Sequence, residues 1–296
     1  MKAVPILFHY GEFEPLWQQE GMIQAGPRIG NGPDCIHVGL PNMEALKNGL
    51  ALHGMVSKAV LLHYTDPFML RSAPLRGLRR WPGPKLLICG DLHHGPDPIG
   101  TLAAYLEVEP QDAVLLTFNP VLLDAVRQRI NVPVRCLPPT LFRYPGAKPV
   151  EQTRPELLHV GSLGPYHPVR RDLVTTLQAR GRVPFRHATT ANAAEAAALY
   201  ASHALVLNIP LNHDLNHRFF EVMAAGVPQV VFGDKGLVGE HRALAERPDV
   251  FWASSLDELE EMVLSLLADP AALQGIPVAP PPYWDLKTLL KAAFAP

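Results

Sequence analysis

The sequence predicts an α/β fold in which two doubly wound domains face each other across a cleft. Short apolar runs bounded by turn residues recur along the 296 residues, and helical patterns lie between them. A proline-rich segment with few apolar residues interrupts this alternation near the middle of the chain. Strands that alternate with helices are typical of βαβ units and a parallel sheet. The interruption indicates two such sheets rather than one.

Six apolar runs in the first half are predicted to be strands, and three amphipathic stretches are predicted to be helices. The strands are expected at 5–8, 35–38, 59–63, 85–89, 113–117 and 133–136, and the helices at 43–53, 99–106 and 120–130. Four arginines lie among prolines and glycines in 67–84, where an irregular segment or a short helix is expected.

The boundary between the domains is predicted in the segment from Leu137 to Pro155, which contains five prolines. We assign 1–145 to an N-terminal domain and 146–282 to a C-terminal domain. A last helix within 283–296 is expected to pack back on the N-terminal domain. The second domain has predicted strands at 157–160, 184–187, 205–209, 229–232 and 250–253, and predicted helices at 170–180, 192–202, 218–225 and 256–268.

Composition excludes several classes of function. A net charge of -2 provides no basic surface for nucleic acid, and no apolar run is long enough to span a membrane. Three scattered cysteines indicate free thiols in a reducing compartment, so we expect a cytoplasmic protein. A G-x-G-x-x-G motif and a P-loop are both missing, which argues against a dehydrogenase or an NTPase.

Two segments of the second domain have the pattern of an anion and nucleotide site. A predicted strand ends in Gly161 and Ser162, and the next helix opens with Arg170 and Arg171. Small residues let backbone N–H groups approach a phosphate, and a helix N-terminus and arginines stabilise its charge. A plain structural turn is the alternative.

The second segment begins at the end of another predicted strand with Asn208. It continues through a polar loop that includes His213 and enters the helix Arg218-Phe219-Phe220-Glu221. A carboxylate in this position suits the two hydroxyls of a ribose. Stabilisation of the helix dipole is the alternative explanation for Glu221.

The run from Arg218 to Pro228, with the strand that follows it and Gly239-Glu240, resembles the C-terminal domain of GT-B glycosyltransferases. It is most similar to glycosyl transferases group 1 and their spore maturation glycosyltransferase-like branch. The resemblance implies two Rossmann-like domains and a nucleotide diphosphate sugar as donor. It also implies that Glu221 holds the ribose and that Gly161, Ser162 and Arg170 or Arg171 lie in the diphosphate region. Asn208, His213, Arg218 and Phe219 are included in the predicted donor site.

One departure from that family concerns the position eight residues before Glu221. Many retaining members have an acidic residue there, and this chain has His213. The stereochemistry of transfer, retaining or inverting, therefore stays open.

The first domain has one dense group of polar residues, Asp91, His93 and His94, after the predicted strand 85–89. The resemblance places the acceptor and its base in the N-terminal domain. Imidazole next to a carboxylate suits general-base chemistry. A turn with surface histidines is the alternative. Two further candidate turns follow other strands, at 8–11 and 63–66.

We therefore expect a metal-independent glycosyltransferase that needs no cofactor besides its donor and acts on an acceptor of unknown identity. Asp-x-Asp dyads and the spacing of a closed zinc site are both missing from the sequence, and these absences argue against a metal. A non-catalytic nucleotide-sugar-binding or partner-binding protein, and a nucleotide-sugar epimerase or hydrolase, remain as alternatives. The oligomeric state is left open.

Overall fold

The computed structural model describes residues 4–14, 17–55, 59–148, 150, 153–165 and 167–295. The chain forms two compact units. The first consists of Met1–Arg143 and Tyr283–Pro296, and the second of Tyr144–Pro282. Each unit has its own parallel sheet and its own buried apolar core.

The first unit is built on a sheet that has seven strands within the described residues. These are β1 (Ile6–Phe8), β2 (Ile23–Gly26), β3 (Cys35–His37), β4 (Leu61–Thr65), β5 (Lys85–Cys89), β6 (Ala113–Leu116) and β7 (Val134–Cys136). All neighbours pair in parallel, in the order β3-β2-β1-β4-β5-β6-β7. The central strands read as continuous apolar runs because helices cover both faces of such a sheet.

Four helices connect these strands: α1 (Met43–Leu52), α2 (Pro67–Ser72), α3 (Pro98–Val108) and α4 (Leu123–Arg129). Their starting points follow from the local sequence. Asn42, Asp66 and Asp97 each accept a hydrogen bond from a backbone N–H of the first turn. A proline at the first position of α2 and of α3 fixes the backbone in a helical conformation. Residues 67–84 thus contain a short helix, as one of the two sequence expectations had it.

The second unit has a five-stranded parallel sheet flanked by helices. Its strands are β8 (Arg154–Val160), β9 (Phe185–Ala188), β10 (His203–Asn208), β11 (Gln229–Phe232) and β12 (Val250–Ala253), in the order β12-β11-β10-β8-β9. Its helices are α5 (Pro168–Arg180), α6 (Ala193–Ala201), α7 (His217–Ala224), α8 (Arg242–Ala245), α9 (Leu256–Leu267) and α10 (Pro270–Gln274). The strand order reverses between β8 and β10. The carboxyl ends of strands at such a reversal form the crevice where ligands bind in open α/β sheets.

The last helix, α11 (Leu286–Ala293), belongs to the first unit. Trp284 donates its backbone N–H to the carbonyl of Thr140 at 3.0 Å, and Gln19 donates to the carbonyl of Trp284 at 3.2 Å. These bonds attach the end of the chain to two other segments of the same unit.

Two further expectations can be compared with the structure. Cys35, Cys89 and Cys136 are thiols and not disulfides. In the parts of the chain that the structure describes, no helix has the length and apolar character needed to cross a membrane.

Candidate functional site

A pocket of about 290 Å³ opens in the second unit at the carboxyl end of its sheet. Its walls come from the turn after β8, the loop before α6, and the first turns of α7. Four predicted donor-site residues line it: Gly161, Ser162, Arg218 and Glu221. The volume is at the lower end of the range of about 300–1,000 Å³ that is usual for small-molecule sites.

Helix α7 presents Arg218 and Glu221 to this pocket. The helix begins after Asn216, whose side chain accepts a hydrogen bond from the N–H of Phe219 at 3.3 Å. Residues three apart in a helix lie on the same face, so Arg218 and Glu221 point the same way. Phe219 and Phe220 between them are at most 1% exposed and hold the helix against the core. The first turn therefore places a cation and a carboxylate side by side.

The hydroxyl of Tyr200 donates a hydrogen bond to Oε2 of Glu221 at 3.2 Å. Burial raises the pKa of Glu221, while Arg218 and the Tyr200 hydroxyl act in the opposite direction. Burial penalises the charged form of a carboxyl, and two favourable contacts only partly offset that penalty. Hydroxyl donors from a ligand would stabilise the ionised form further.

Gly161 leaves room for the guanidinium of Arg218. A Cβ at position 161 would be far too close to Nη2 of Arg218 and would lie 3.4 Å from Nε2 of His159. The carbonyl of Gly161 accepts a hydrogen bond from His187 at 2.8 Å, which fixes the turn. A side chain at position 161 would therefore displace the guanidinium of Arg218 from its present place.

Arg170, rather than Arg171, lies close to this turn. Arg170 is 7% exposed, and its Nη1 is 3.5 Å from the carbonyl oxygen of Ser162. Burial and the charge of Arg218 lower the pKa of Arg170 to about 10, and Asp214 opposes them. Arg171 is exposed and lies 3.7 Å from Asp172.

Several buried polar atoms here have no hydrogen-bond partner among the described residues. They are Nε and Nη1 of Arg218, Nε of Arg170, Nε2 of His159, and both side-chain polar atoms of Asn208. Unsatisfied buried groups are few in folded proteins, and each costs about 1–3 kcal/mol. Two guanidinium groups that influence each other, each with a buried nitrogen that has no acceptor among the described residues, indicate a place for an anion.

His159 contributes to the same region from the end of β8. It is fully buried, and its Nδ1–H donates to the carbonyl of Leu207 at 3.0 Å. Burial and the nearby Arg218 hold its pKa well below the usual range, so the ring is neutral at pH 7. Because Nδ1 carries the proton, Nε2 is left as an acceptor.

Five predicted donor-site residues do not line the pocket: Arg170 and Arg171, described above, and Phe219, Asn208 and His213. Phe219 is fully buried and packs against Phe220 and Trp252, with ring centroids 5.2 and 6.5 Å apart. Asn208 is fully buried at the end of β10. His213 is exposed in a left-handed turn, with φ of 63° after Asn212 at 52°.

The predicted acceptor-side residues lie together in the first unit. Asp91, His93 and His94 follow β5, and one ligand atom from each lies within 4.8 Å of the other two. The two imidazole rings are 4.2 Å apart between centroids. All three side chains are half-buried. Burial raises the pKa of Asp91, which the two histidines lower and Asp66 raises again.

The histidines of the other two candidate turns in the first domain, at 8–11 and 63–66, are buried. His9 and His63 are both fully buried, and burial lowers their pKa values to about 4 and about 3. His9 is hydrogen-bonded to Gln24 at 3.0 Å. Strand β4 continues to Thr65, so the expectation that a turn begins at His63 is wrong. These histidines are part of the core.

Sequence patterns missed Tyr200 and the loop 189–193, which line the pocket, and His159, whose Nε2 lies close to Gly161. Tyr200 lies inside an alanine-rich helix and looks like any other apolar position. The one available signal was His159, a basic residue inside an apolar strand directly before the glycine turn.

A larger pocket of about 400 Å³ lies at the amino end of the same sheet. Alanine, valine and isoleucine dominate its lining, together with His203, Thr153 and Gln274. The predicted donor-site residues do not belong to it.

The chain is similar to known proteins in part of its sequence and in its fold. Residues 152–278 match a family described as glycosyl transferase-like. Sucrose-phosphate synthase from Thermosynechococcus elongatus is 14% identical, with 93% of this chain and 92% of that chain covered and a TM-score of 0.55. WaaG, a glycosyltransferase involved in lipopolysaccharide biosynthesis, is 12% identical, with 99% and 100% covered and a TM-score of 0.52. No curated protein sequence matches significantly. The fold class expected from the sequence, two Rossmann-like domains, is confirmed.

Proposed function

We propose that this chain, a glycosyltransferase of the GT-B fold, transfers a sugar from a nucleotide diphosphate donor bound by its second unit to a hydroxyl acceptor bound by its first. The observation that carries the proposal is the pairing of Glu221 and Arg218 on the first turns of α7, in one pocket with the Gly161 turn. A carboxylate and a cation in this arrangement fit the two ends of a nucleoside diphosphate.

Glu221 is the proposed ribose ligand. An ionised carboxylate accepts hydrogen bonds from both hydroxyls of a ribose, and such charge-assisted bonds are stronger than neutral ones. Tyr200 holds Oε2 from one side, which orients the carboxylate before the donor arrives. The loop 189–193 lies across the pocket and is suitably placed to contact the base.

Arg218 and Arg170 are the proposed ligands of the diphosphate. Both have buried nitrogens without an acceptor, and a diphosphate would supply one while removing the repulsion between the two cations. When the bond between the sugar and the diphosphate breaks, negative charge grows on the departing oxygen. Fixed cations stabilise that charge without reorganisation. We therefore propose that departure of the diphosphate needs no metal ion.

Asp91, His93 and His94 are the proposed source of the acceptor base. One of these groups takes the proton of the acceptor hydroxyl, the oxygen forms a bond to the anomeric carbon, and the nucleoside diphosphate leaves with the electron pair of the broken bond. The carboxylate next to imidazole stabilises the imidazolium that results.

Thermal denaturation with a panel of nucleoside diphosphates and their sugars tests the donor assignment. A ligand that binds only the folded protein raises the melting temperature with concentration. We expect at least one nucleoside diphosphate to do so in the wild type. Arg218→Ala should weaken this effect. Arg171→Ala, which changes an exposed arginine next to Arg170 on α5, should not.

The opposite pattern would contradict the assignment. Loss of stabilisation in Arg171→Ala with none in Arg218→Ala would place the diphosphate elsewhere. Donor hydrolysis that gives no acceptor product under any condition would favour a hydrolase instead.

A further inference from the structure

The loop between β5 and α3 combines the ligand types that divalent transition metals prefer. It carries one carboxylate, Asp91, and two imidazoles, His93 and His94. Two nitrogen ligands and one oxygen ligand are enough to hold zinc with a coordination position left open. All three candidate ligands lie within four consecutive residues, 91–94. This spacing differs from that of familiar closed zinc sites.

The three ligand atoms are already close to one another. Each lies within 4.8 Å of the other two. Ligand atoms of a tetrahedral zinc ion are separated by roughly 3.4 Å, given bond lengths of about 2.0–2.2 Å. Small rotations of half-buried side chains therefore suffice to bring these atoms to a common ion.

The backbone of the loop is held by hydrogen bonds at two points, Leu92 and His94. Leu92, between Asp91 and His93, is 2% exposed, and its N–H donates to Oδ1 of Asn119 at 2.9 Å. Arg71 donates from Nη1 to the carbonyl of His94 at 2.9 Å. These hydrogen bonds fix the backbone from which the candidate ligand side chains project. The site is thus organised by the fold before any ion arrives.

We propose that Asp91, His93 and His94 form a site for a divalent transition-metal ion, and that an ion bound there inhibits glycosyl transfer. The first part stands on the geometry of the loop alone. The second part rests on the proposed function, because a metal would occupy the lone pairs that the acceptor base needs. The ion is thus an inhibitor of a reaction that does not require one.

The local charges agree with a dication at this position. A second carboxylate, Asp66, lies close enough to interact electrostatically with Asp91. A cation bound by all three groups would favour the ionised carboxylate and the neutral imidazoles. Protons compete for the same lone pairs, so binding should strengthen as the pH rises.

Isothermal titration of the metal-free full chain with Zn²⁺ tests the first part. We expect one site in the wild type, and an affinity at least about tenfold lower in His93→Ala, His94→Ala and Asp91→Asn. His53→Ala, at the end of α1 in the same unit, is the matched control and should bind like the wild type. Melting curves without metal identify any variant that fails to fold. Failure of the wild type to bind Zn²⁺, or an equal loss in His53→Ala, overturns the proposal.

Initial rates of transfer test the second part. Zn²⁺ at saturating concentration should suppress turnover, and EDTA should restore the rate of the metal-free enzyme. Zinc binding without inhibition would keep the metal site and overturn the assignment of these residues as the acceptor base. If Zn²⁺ did not bind but the three variants still lost turnover, the metal site would be overturned. The assignment of these residues as the acceptor base would then be kept.

Discussion

A buried carboxylate at Glu221 is unfavourable for the folded protein in the absence of a ligand. Burial raises its pKa, and the contacts from Arg218 and Tyr200 do not cancel this effect. The ionised form is therefore less favourable in the folded chain than in the unfolded one. This penalty on stability is fully present above the raised pKa, shrinks as the pH falls through it, and vanishes below the ordinary pKa of a glutamate. Such a residue is expected where a ligand supplies the missing hydrogen bonds.

Replacement of this carboxylate separates binding from stability. Glu221→Gln should weaken donor binding by about 1.5–3 kcal/mol, roughly 10–150-fold, because a neutral amide replaces a charged acceptor. The melting temperature should stay the same or rise, because the variant removes a charge that burial disfavours. Titration calorimetry with the donor and a melting curve measure the two effects.

Glu261→Gln is the control for this experiment. Glu261 is exposed on α9, so neither donor affinity nor stability should change. A loss of stability in Glu221→Gln without a loss of donor affinity would show that the carboxylate is structural.

Sequence patterns singled out the charged residues of the proposed donor site but not the side chains that contact them. Glu221 and Arg218 belong to a run with a recognisable family pattern, whereas Tyr200 reaches Glu221 from another helix. A contact between residues 21 apart depends on how α6 and α7 pack, and nothing local in the sequence encodes it. For the same reason, sequence alone could not choose between Arg170 and Arg171.

At the scale of elements, helix α7 connects stability with function. Its first turns carry both Arg218 and Glu221, and the side chain of Asn216 caps its N-terminus. Loss of an N-cap side chain usually costs about 0.5–2 kcal/mol of stability and loosens the first turn. The cap should therefore matter for donor binding as well as for folding.

A comparison of two helix caps tests this connection. Asn216→Ala should lower the melting temperature and also weaken donor binding, because the first turn positions Arg218. Ser255→Ala removes the cap of α9, where the side chain accepts from the N–H of Glu258 at 3.2 Å. It should cost similar stability and leave donor binding unchanged. Equal donor affinity in both variants would show that the cap of α7 does not influence donor binding.

Physical reasons explain why some elements were not predicted from the sequence. Strand β2 (Ile23–Gly26) contains Gln24, a polar residue that breaks the apolar run. Gln24 is fully buried and satisfied by His9, Gln18 and the backbone of Glu14. Such a network depends on tertiary contacts. Helices α8 and α10, with four and five residues, are too short to show a helical period.

At the scale of the whole molecule, the two units carry different chemistry. The second holds a carboxylate and two cations suited to a nucleoside diphosphate, and the first holds a carboxylate and two imidazoles suited to a hydroxyl. Each set is formed within one unit, at the carboxyl end of a parallel sheet. Changes in one set should therefore leave the binding properties of the other nearly intact.

Chelation tests the proposed division between fixed cations and metal ions. Donor binding and transfer should both persist in EDTA, because Arg170 and Arg218 are the groups proposed to neutralise the diphosphate. Rates measured in EDTA and then with added Mg²⁺ or Mn²⁺ provide the check. Loss of turnover in EDTA that either ion restores would contradict the metal-free departure of the diphosphate.

The loop of Asp91, His93 and His94 provides the last test, because its proposed function concerns the rate and not the donor. Asp91→Asn, His93→Ala and His94→Ala should each bind the donor within about twofold of the wild type, since the proposed donor ligands lie in the other unit. At least one should lower turnover by about 10²–10⁴, the usual contribution of a placed general base. The wild-type rate should fall as the pH drops, because a protonated base cannot accept the acceptor proton, and the raised pKa of Asp91 moves that loss toward neutral pH. If the loop served folding alone, melting temperature, donor affinity and turnover would all decrease together. Wild-type turnover in all three variants would remove these residues from the reaction.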